Sequence, residues 1–383
     1  MDNVDCLFRS ACGSGKTGVL ALIALCITKI GLNPDIVPMS CRSSFPKNPV
    51  ILVICPTDAL EIDLECKLKR YKINAVAINS NLCAKAARKE ERNLWDIAKS
   101  SDVILLAPEQ LEGRGLTEAL SDAQFRQRIY LLVVDEVHLV DQWSKSFRKA
   151  YGRIGDARNR LGDNTRLLLL TATLREGGPY DLILKKFDLI PGRFLDLHRS
   201  NLRPEVRVTT TILPSSPNSA FTFPFLSWVV GLQGISIIFT RNRTLTLKIA
   251  LYLMQTNPEY THKIRKCDST NDPDEYDAET YRMTKVDILS GLVLVSTSVL
   301  TLGMDIPNVR RVITLEPTEF EQEIQEEGRV LRQRSKNDIA EAYAYFSQAT
   351  YDLAVKMVEE DQTEPRTGNR KQKADVTADS KKP

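Results

Sequence analysis

The chain has few of the residues that build zinc sites. Its 383 residues include three histidines and eight cysteines, and no two cysteines form a C-x-x-C pair. Structural zinc sites use four Cys or His ligands at short characteristic spacings, so we expect no zinc. Cysteines without that spacing are more typical of reduced, mostly buried thiols in an intracellular protein.

Long apolar runs and a strong charge of one sign are also missing. The longest apolar stretch, at residues 19–27, is too short to span a bilayer, and no secretory signal opens the chain. Lys plus Arg number 52 and Asp plus Glu number 49, so the net charge of +3 does not by itself indicate a nucleic-acid partner. We therefore expect a soluble protein with no membrane partner, in which any basic surface is local.

The length and the apolar pattern predict two α/β domains. A composition that is 43% hydrophobic and 26% charged is ordinary for a folded soluble protein, and 383 residues exceed one average domain. Short apolar runs alternate with helical segments, which favours parallel sheets wrapped by helices. The predicted strands of the first domain are 5–10, 50–54, 74–78, 103–106, 131–134 and 166–170. A second alternation includes strands at 235–239 and 292–295.

The strongest single motif is SACGSGKT at residues 10–17, which follows a predicted strand and leads into an apolar helical segment. In such a loop the glycines let backbone N–H groups surround phosphate oxygens, Lys16 reaches the β- and γ-phosphates, and Thr17 offers a hydroxyl to Mg²⁺. Ser10 stands where the general pattern has its first glycine. A glycine-rich helix start is the alternative, but the helix that follows favours phosphate binding. The residues expected around the nucleotide are Cys12, Gly13, Ser14, Gly15, Lys16 and Thr17.

Two adjacent acids follow the apolar strand in LLVVDEVH at residues 131–138. Ligands of parallel sheets bind at the carboxyl ends of the strands. Asp135 can hold a hydrated Mg²⁺ there, while Glu136 can orient and deprotonate a water that attacks the γ-phosphate. His138 is expected at the same edge. An acidic pair could also start a solvated loop or cap a helix, but the upstream phosphate loop favours the catalytic interpretation.

An aromatic and basic segment follows these acids. Trp143 and Phe147 would be interpreted as core side chains if they stood alone. Next to the acidic pair, however, the segment resembles the aromatic-rich loop of RecQ helicases. The resemblance implies a loop that stacks on bases of single-stranded DNA, with Gln142 and Arg148 as polar contacts.

QEEGRVLR at residues 325–332 predicts a second part of the nucleotide site. On a helix Arg329 and Arg332 share one face, so both can reach a γ-phosphate held by the other domain. A guanidinium there stabilises charge on the transferring phosphoryl group, and Gln325 begins the motif. Without the upstream motifs, a solvated helix with surface arginines would be the preferred interpretation.

ACGSGKT, PTDAL, APEQL, DEVH and TAT occur in the order and spacing of superfamily 2 helicases, and the later motifs resemble the RecQ group. The resemblance implies two RecA-like domains, at 1–197 and 198–355, and a disordered basic tail at 356–383. It further implies ATP and Mg²⁺ as cofactors and 3′ to 5′ movement on single-stranded or partly duplex DNA, with RNA not excluded. Asp305, in a segment that resembles motif V, is expected near the nucleotide. The expected nucleic-acid contacts are Pro56, Thr57, Gln142, Trp143, Phe147, Arg148, Thr171 and Thr173.

Several departures from the RecQ pattern keep other functions open. The family's adenine-recognising segment lies upstream of the phosphate loop, where this chain has almost nothing, and residues 266–282 lack the family's tyrosine-histidine-alanine signature. No cysteine follows Cys267, so the zinc-binding and winged-helix modules of RecQ proteins are not expected. A non-catalytic nucleic-acid-binding remnant or fragment is therefore the alternative, although retention of Glu136 and Arg329 favours an enzyme. A P-loop GTPase is disfavoured, because DEVH and QEEGRVLR have no role there. Nuclear localisation is expected, with the cytoplasm as the alternative.

Overall fold

The computed structural model describes residues 4–39, 45–89, 93–140, 150, 153–161, 165–267, 291–297, 306, 308–317, 320–330 and 339–363. Across these ranges the strands form two sheets, and every strand pair is parallel. Each sheet has apolar clusters on its two faces. The predicted fold class, two α/β domains with mostly parallel sheets flanked by helices, is confirmed.

The first sheet, as far as the described residues show it, has seven strands in the order β3-β4-β2-β5-β6-β1-β7. In chain order they are β1 (Cys6–Arg9), β2 (Val50–Ile54), β3 (Ala75–Ile78), β4 (Val103–Leu106), β5 (Ile129–Val134), β6 (Arg166–Thr171) and β7 (Leu195–His198). The central strand β5 is buried at all of its positions because both faces of the sheet are covered. Leu132 and Val134 join the core on one face, while Leu131 and Val133 join the core on the other.

The second sheet has the order β10-β11-β9-β12-β13-β8 within the described part of the chain. Its strands are β8 (Val206–Leu213), β9 (Ile235–Phe239), β10 (Ile264–Cys267), β11 (Leu292–Ser296), β12 (Val309–Leu315) and β13 (Ala340–Ser347). The inner strand β9 is buried throughout, whereas the edge strand β8 is exposed along most of its length.

The helices connect successive strands and cover the sheets. In the described ranges they are α1 (Lys16–Leu32), α2 (Asp58–Arg70), α3 (Ser80–Arg88), α4 (Leu94–Ala98), α5 (Arg114–Ser121), α6 (Ala123–Arg128), α7 (Ile154–Ala157), α8 (Gly178–Lys186), α9 (Arg243–Thr256), α10 (Phe320–Glu327) and α11 (Gln348–Thr363). The charged sequence at 84–99 predicts a single helical segment, but the structure has parts of two helices there, α3 and α4. Helix α11 continues past residue 356, where the tail was predicted to start. No described helix is long and apolar enough to cross a membrane.

The strand order brings three distant motifs to one edge. Because β5, β6 and β1 are neighbours and parallel, their carboxyl ends lie side by side. Those ends lead into Asp135, Ala172 and Ser10, respectively. A phosphate loop, an acidic pair and a threonine motif are thus placed together by the sheet topology alone.

Candidate functional site

The loop between β1 and α1 has the backbone of a phosphate loop. Gly13 and Gly15 have φ values of 72° and 93°, in the left-handed region that glycine adopts at no steric cost. The Lys16 Nζ donates to the carbonyl oxygens of Ser10 at 3.1 Å and Ala11 at 3.3 Å, so the ammonium group lies within the loop. The hydroxyls of Ser10 and Ser14 are 2.6 Å apart and link the two sides of the loop.

The acidic pair stands at the carboxyl end of β5. Asp135 accepts a hydrogen bond from the backbone N–H of Glu136 at 2.9 Å. Burial is the main cause that raises the pKa of Asp135 to about 7; the charge of Glu136 acts in the same direction, and the charge of Lys16 opposes it. This influence of Lys16 shows that the phosphate loop and the acidic pair face each other.

Glu136 has an unusual backbone and a buried acceptor. Its φ of 48° lies in the left-handed region, which costs a residue with a side chain on the order of 1 kcal/mol. The buried Oε2 atom has no hydrogen-bond partner among the described residues, and His138 Nδ1 lies 3.5 Å away. A carboxylate oxygen held in this way is suited to accept a proton from a water molecule.

His138 connects the acidic pair to the second domain. It is 4% exposed, and its Nδ1 lies 3.0 Å from Thr171 Oγ1. Its Nε2 lies 2.6 Å from Nε2 of Gln325, at the end of α10. Since Gln325 Nε2 is a donor, His138 accepts there and carries its proton on Nδ1, which donates to Thr171. The chain Thr171–His138–Gln325 therefore joins three sequence motifs across the two domains.

The second domain also packs directly on the phosphate loop. A Cβ atom at Gly328 would lie 2.3 Å from Cβ of Cys12 and 2.9 Å from its Sγ, so this approach requires glycine. Arg329 is 2% exposed and follows this contact. Gly328 thus meets the phosphate loop of the first domain and Gln325 meets His138, whereas a role of Arg329 at the nucleotide stays a prediction.

The segment between the domains contributes two side chains that the motifs alone did not indicate. Asn201 Nδ2 donates to the carbonyl oxygen of Ala172 at 2.6 Å, next to Thr171. Arg203 Nη2 donates to the carbonyl oxygen of Val330 at 2.8 Å, just past α10. Both residues lie in HRSNLRPEV at residues 198–206, which resembles the entry of RecQ helicases into their second domain. The structure shows that it also ties the threonine motif to the arginine motif.

Glu326 is a second buried acid beside the site. It is 1% exposed and accepts hydrogen bonds from Thr314 Oγ1 at 2.8 Å and Gln322 Nε2 at 2.7 Å. Burial raises its pKa to about 7, the two hydrogen bonds lower the pKa, and Glu323 and Glu327 raise it. Its contact with Thr314 anchors α10 on β12, and α10 carries Gln325.

We expect Glu326→Gln to remove a pH dependence of stability. The folded protein keeps the Glu326 proton up to about pH 7, whereas the unfolded chain loses it near the ordinary value of 4.5. The wild-type free energy of unfolding should therefore decrease as pH rises through this window, by at most roughly 3 kcal/mol. Glutamine is neutral at every pH, so the variant should gain stability over wild type at pH 8 but not at pH 4. Urea denaturation at both pH values, with Glu259→Gln as an exposed control, measures this; equal pH slopes for wild type and Glu326→Gln would contradict it.

The other predicted site residues fall into three groups. Pro56 is buried, and Thr57 caps α2 by accepting from the Leu60 backbone N–H at 3.3 Å. Thr171 and Thr173 are 0% and 4% exposed, so neither hydroxyl is accessible in this arrangement, and a nucleic-acid contact for them stays a prediction. The residues that lie outside the described ranges are Gln142, Trp143, Phe147, Arg148, Asp305 and Arg332.

Mg²⁺ fits the donor set at the carboxyl end of β5. Asp135 offers a carboxylate and Thr17, in the first turn of α1, offers a hydroxyl, which are the hard oxygen ligands that Mg²⁺ prefers. No group of three or more His, Cys, Asp or Glu side chains gathers for a metal ion within the described residues. Mg²⁺ often keeps several waters and uses one or two carboxylates, so the smaller donor set is consistent with it.

Comparison with protein families supports this geometry over both domains. The DEAD/DEAH box helicase model matches residues 1–180, and the helicase conserved C-terminal domain model matches residues 230–334. These two matches identify the two RecA-like domains as a superfamily 2 helicase core.

Proteins of similar sequence narrow the class of helicase further. An ATP-dependent DNA helicase RecQ of Synechocystis sp. is 26% identical over 298 residues, which are 73% of this chain and 56% of that protein. The RecQ-like DNA helicase blm-1 of Caenorhabditis elegans is 24% identical over 306 residues, 77% of this chain and 29% of that protein. The chain therefore carries a RecQ-like helicase core, and it spans little more than half of the first relative and less of the second.

Solved structures agree on the fold. Mss116p bound to single-stranded RNA and AMP-PNP superposes with a TM-score of 0.67 at 17% identity, covering 94% of this chain and 69% of that chain. The DUF1998 helicase MrfA bound to DNA gives a TM-score of 0.65 at 16% identity, covering 94% of this chain and 46% of that chain.

Proposed function

We propose that this chain is an ATP-dependent DNA helicase or translocase that couples ATP hydrolysis to 3′ to 5′ movement on single-stranded DNA. The observation that carries the proposal is the composite site, in which Gln325 bonds His138 and Gly328 packs on Cys12. Residues from both domains must meet for this site to exist, so its assembly is tied to the relative position of the domains. A nucleotide-driven motor requires its active site to depend on the relative position of its domains in this way.

Each residue of the composite site has a separate role in the proposed hydrolysis of ATP. Lys16 neutralises charge on the β- and γ-phosphates, and Glu136 takes a proton from the attacking water. Arg329 stabilises the charge that develops on the transferring phosphoryl group. Asp135 and Thr17 would hold Mg²⁺, which supplies further neutralisation of the phosphate oxygens when bound.

The direct test is ATP hydrolysis with and without a single-stranded DNA oligonucleotide, and with an RNA oligonucleotide of equal length. We expect turnover that DNA stimulates. ATP binding without turnover under any of these conditions would instead favour the non-catalytic remnant. If RNA but not DNA stimulated turnover, RNA would be assigned as the nucleic acid that this chain moves on. A helicase assay on duplexes with 3′ or 5′ overhangs tests the direction of movement. Nuclear localisation stays a prediction.

Arg329→Ala should lower turnover while ATP affinity changes less. Arg329 is buried and directly follows Gly328, which packs on Cys12 of the phosphate loop; it lies in the turn after α10, which ends at Glu327, and not on a helix as its spacing predicted. Because the same motif contains a second arginine, Arg332, we expect a fall in kcat of about 10- to 100-fold.

Steady-state kinetics and binding of a fluorescent ATP analogue separate the two quantities. Lys356→Ala, at an exposed position of α11 in the same domain, is the matched control. Wild-type turnover in Arg329→Ala would mean that the second domain takes no part in the chemistry.

A further inference from the structure

An exposed phenylalanine on the second domain is paired with a lysine. Phe221 is 78% exposed and lies in the loop between β8 and the short helix Pro224–Val229. The Lys248 Nζ, from α9, is 4.4 Å from the centroid of its ring. A single exposed apolar residue is common on protein surfaces, so the ring alone indicates nothing. The ammonium on one side leaves the other side of a largely exposed ring open to solvent.

Two asparagines, one of them through its backbone carbonyl, connect the Phe221 loop to α9. The carbonyl oxygen of Asn218 accepts from Lys248 Nζ at 3.4 Å, and its Oδ1 accepts from Asn242 Nδ2 at 3.3 Å. Asn242 in turn caps α9 by accepting from the Leu245 backbone N–H at 2.8 Å. The loop that carries Phe221 is therefore tied to the first turns of α9.

The surrounding sequence has no negative charge. No aspartate or glutamate occurs between Glu205 and Glu259, in a chain with 49 acidic residues. The basic residues of this interval are Arg207, Arg241, Arg243 and Lys248. The net charge of +3 for the whole chain does not reveal that residues 206–258 contain basic but no acidic residues. The segment that supplies both Phe221 and Lys248 is therefore positively charged, and this charge is complementary to a polyanion.

We propose that Phe221 and Lys248 form a binding site for single-stranded nucleic acid on the second domain. A base stacks on the open face of the Phe221 ring, and a neighbouring phosphate pairs with Lys248. Bases of any sequence have such a flat face, so the contact suits a motor that passes over many sequences. An acidic peptide would match the charge but offers no flat ring to Phe221. The inference rests on the proposed function and adds to it a contact far in sequence from residues 142–148.

The test is fluorescence anisotropy with the full chain and labelled oligo(dT) and oligo(rU) over a series of salt concentrations. Phe221→Ala should weaken binding by about 5- to 150-fold, whereas Phe221→Trp should retain it. Lys248→Gln should reduce the slope of log affinity against log salt by about 0.7, the value for one phosphate contact on a single strand. The two polymers distinguish DNA from RNA as the source of the bases.

Matched controls come from the first domain. Tyr71→Ala removes an aromatic ring that is 54% exposed at the end of α2, and Lys29→Gln removes a lysine from the last turn of α1. Both should bind as wild type does. A thermal melt checks that Phe221→Ala folds, and the salt slope of Lys248→Gln remains decisive if it does not.

The outcomes separate this inference from the proposed function. If wild type binds neither oligonucleotide, both fail. If wild type binds but Phe221→Ala and Lys248→Gln bind equally well, only the site on the second domain is overturned. The two variants could also bind a polyglutamate peptide more weakly than wild type while they bind oligonucleotides equally well. This result would assign the surface to an acidic protein segment and would overturn the proposed nucleic-acid site.

Discussion

Replacement of Lys16 by alanine is expected to abolish measurable ATP turnover. The Lys16 Nζ lies inside the phosphate loop, on the carbonyl oxygens of Ser10 and Ala11, and its charge acts on Asp135. SACGSGKT contains one lysine, so no second ammonium in the loop can neutralise the β- and γ-phosphates. We expect a loss of turnover of at least about 1,000-fold, at the upper end of what removal of one charge-stabilising group costs.

The control for this prediction lies on the same helix. Lys29→Ala removes an exposed lysine from the last turn of α1, far along the helix from the loop. A coupled assay of phosphate release measures both variants, and nucleotide binding is followed in parallel. Turnover near the wild-type rate in Lys16→Ala would remove the phosphate loop from the mechanism.

Glu136→Gln should bind ATP as wild type does and hydrolyse it about 100- to 10,000-fold more slowly, the range for loss of a general base. The amide has nearly the same size as the carboxylate, so the left-handed backbone at this position and the contact with His138 are retained. The amide cannot accept the proton of the attacking water. Chemistry is therefore lost while the site keeps its shape.

Single-turnover kinetics with a binding assay separate these effects. Glu118→Gln, whose carboxylate pairs with Arg114 on the exposed face of α5, is the control and should behave as wild type. If Glu136→Gln lost ATP binding instead, Glu136 would have a structural role in the loop after β5.

The inner strands could be located from sequence because burial on both faces requires continuous apolar runs. The predicted strands 50–54, 103–106 and 235–239 agree with β2, β4 and β9. The edge strand β3 is buried at all four positions and was predicted, at 74–78, whereas the edge strands β7, β8 and β10 were missed. β8 has the sequence VRVTTTIL and is mostly exposed, and β10 has the polar sequence IRKC. A strand that is covered on fewer sides has a weaker apolar pattern.

The threonine motif TAT shows a limit of prediction from local sequence. TAT was predicted to touch nucleic acid because it resembles a helicase motif. That contact stays a prediction; the structure adds that Thr171 is fully buried, with its hydroxyl on His138. Three consecutive residues at a strand end do not reveal which neighbour will cover them, because the neighbours arrive from other strands and from the second domain.

The sequence by itself determined which chemistry is proposed for this protein, because each reactive group depends on a few consecutive residues. Glycines with Lys16 in one loop, and two acids after one apolar strand, predict phosphate binding and proton transfer in a fold of this class. Only the tertiary structure decided which groups meet. His138 and Gln325 are 187 positions apart, and Gly328 reaches Cys12 from the other domain. These contacts depend on strand order and domain packing, which arise from interactions among distant residues and leave no mark in either local motif.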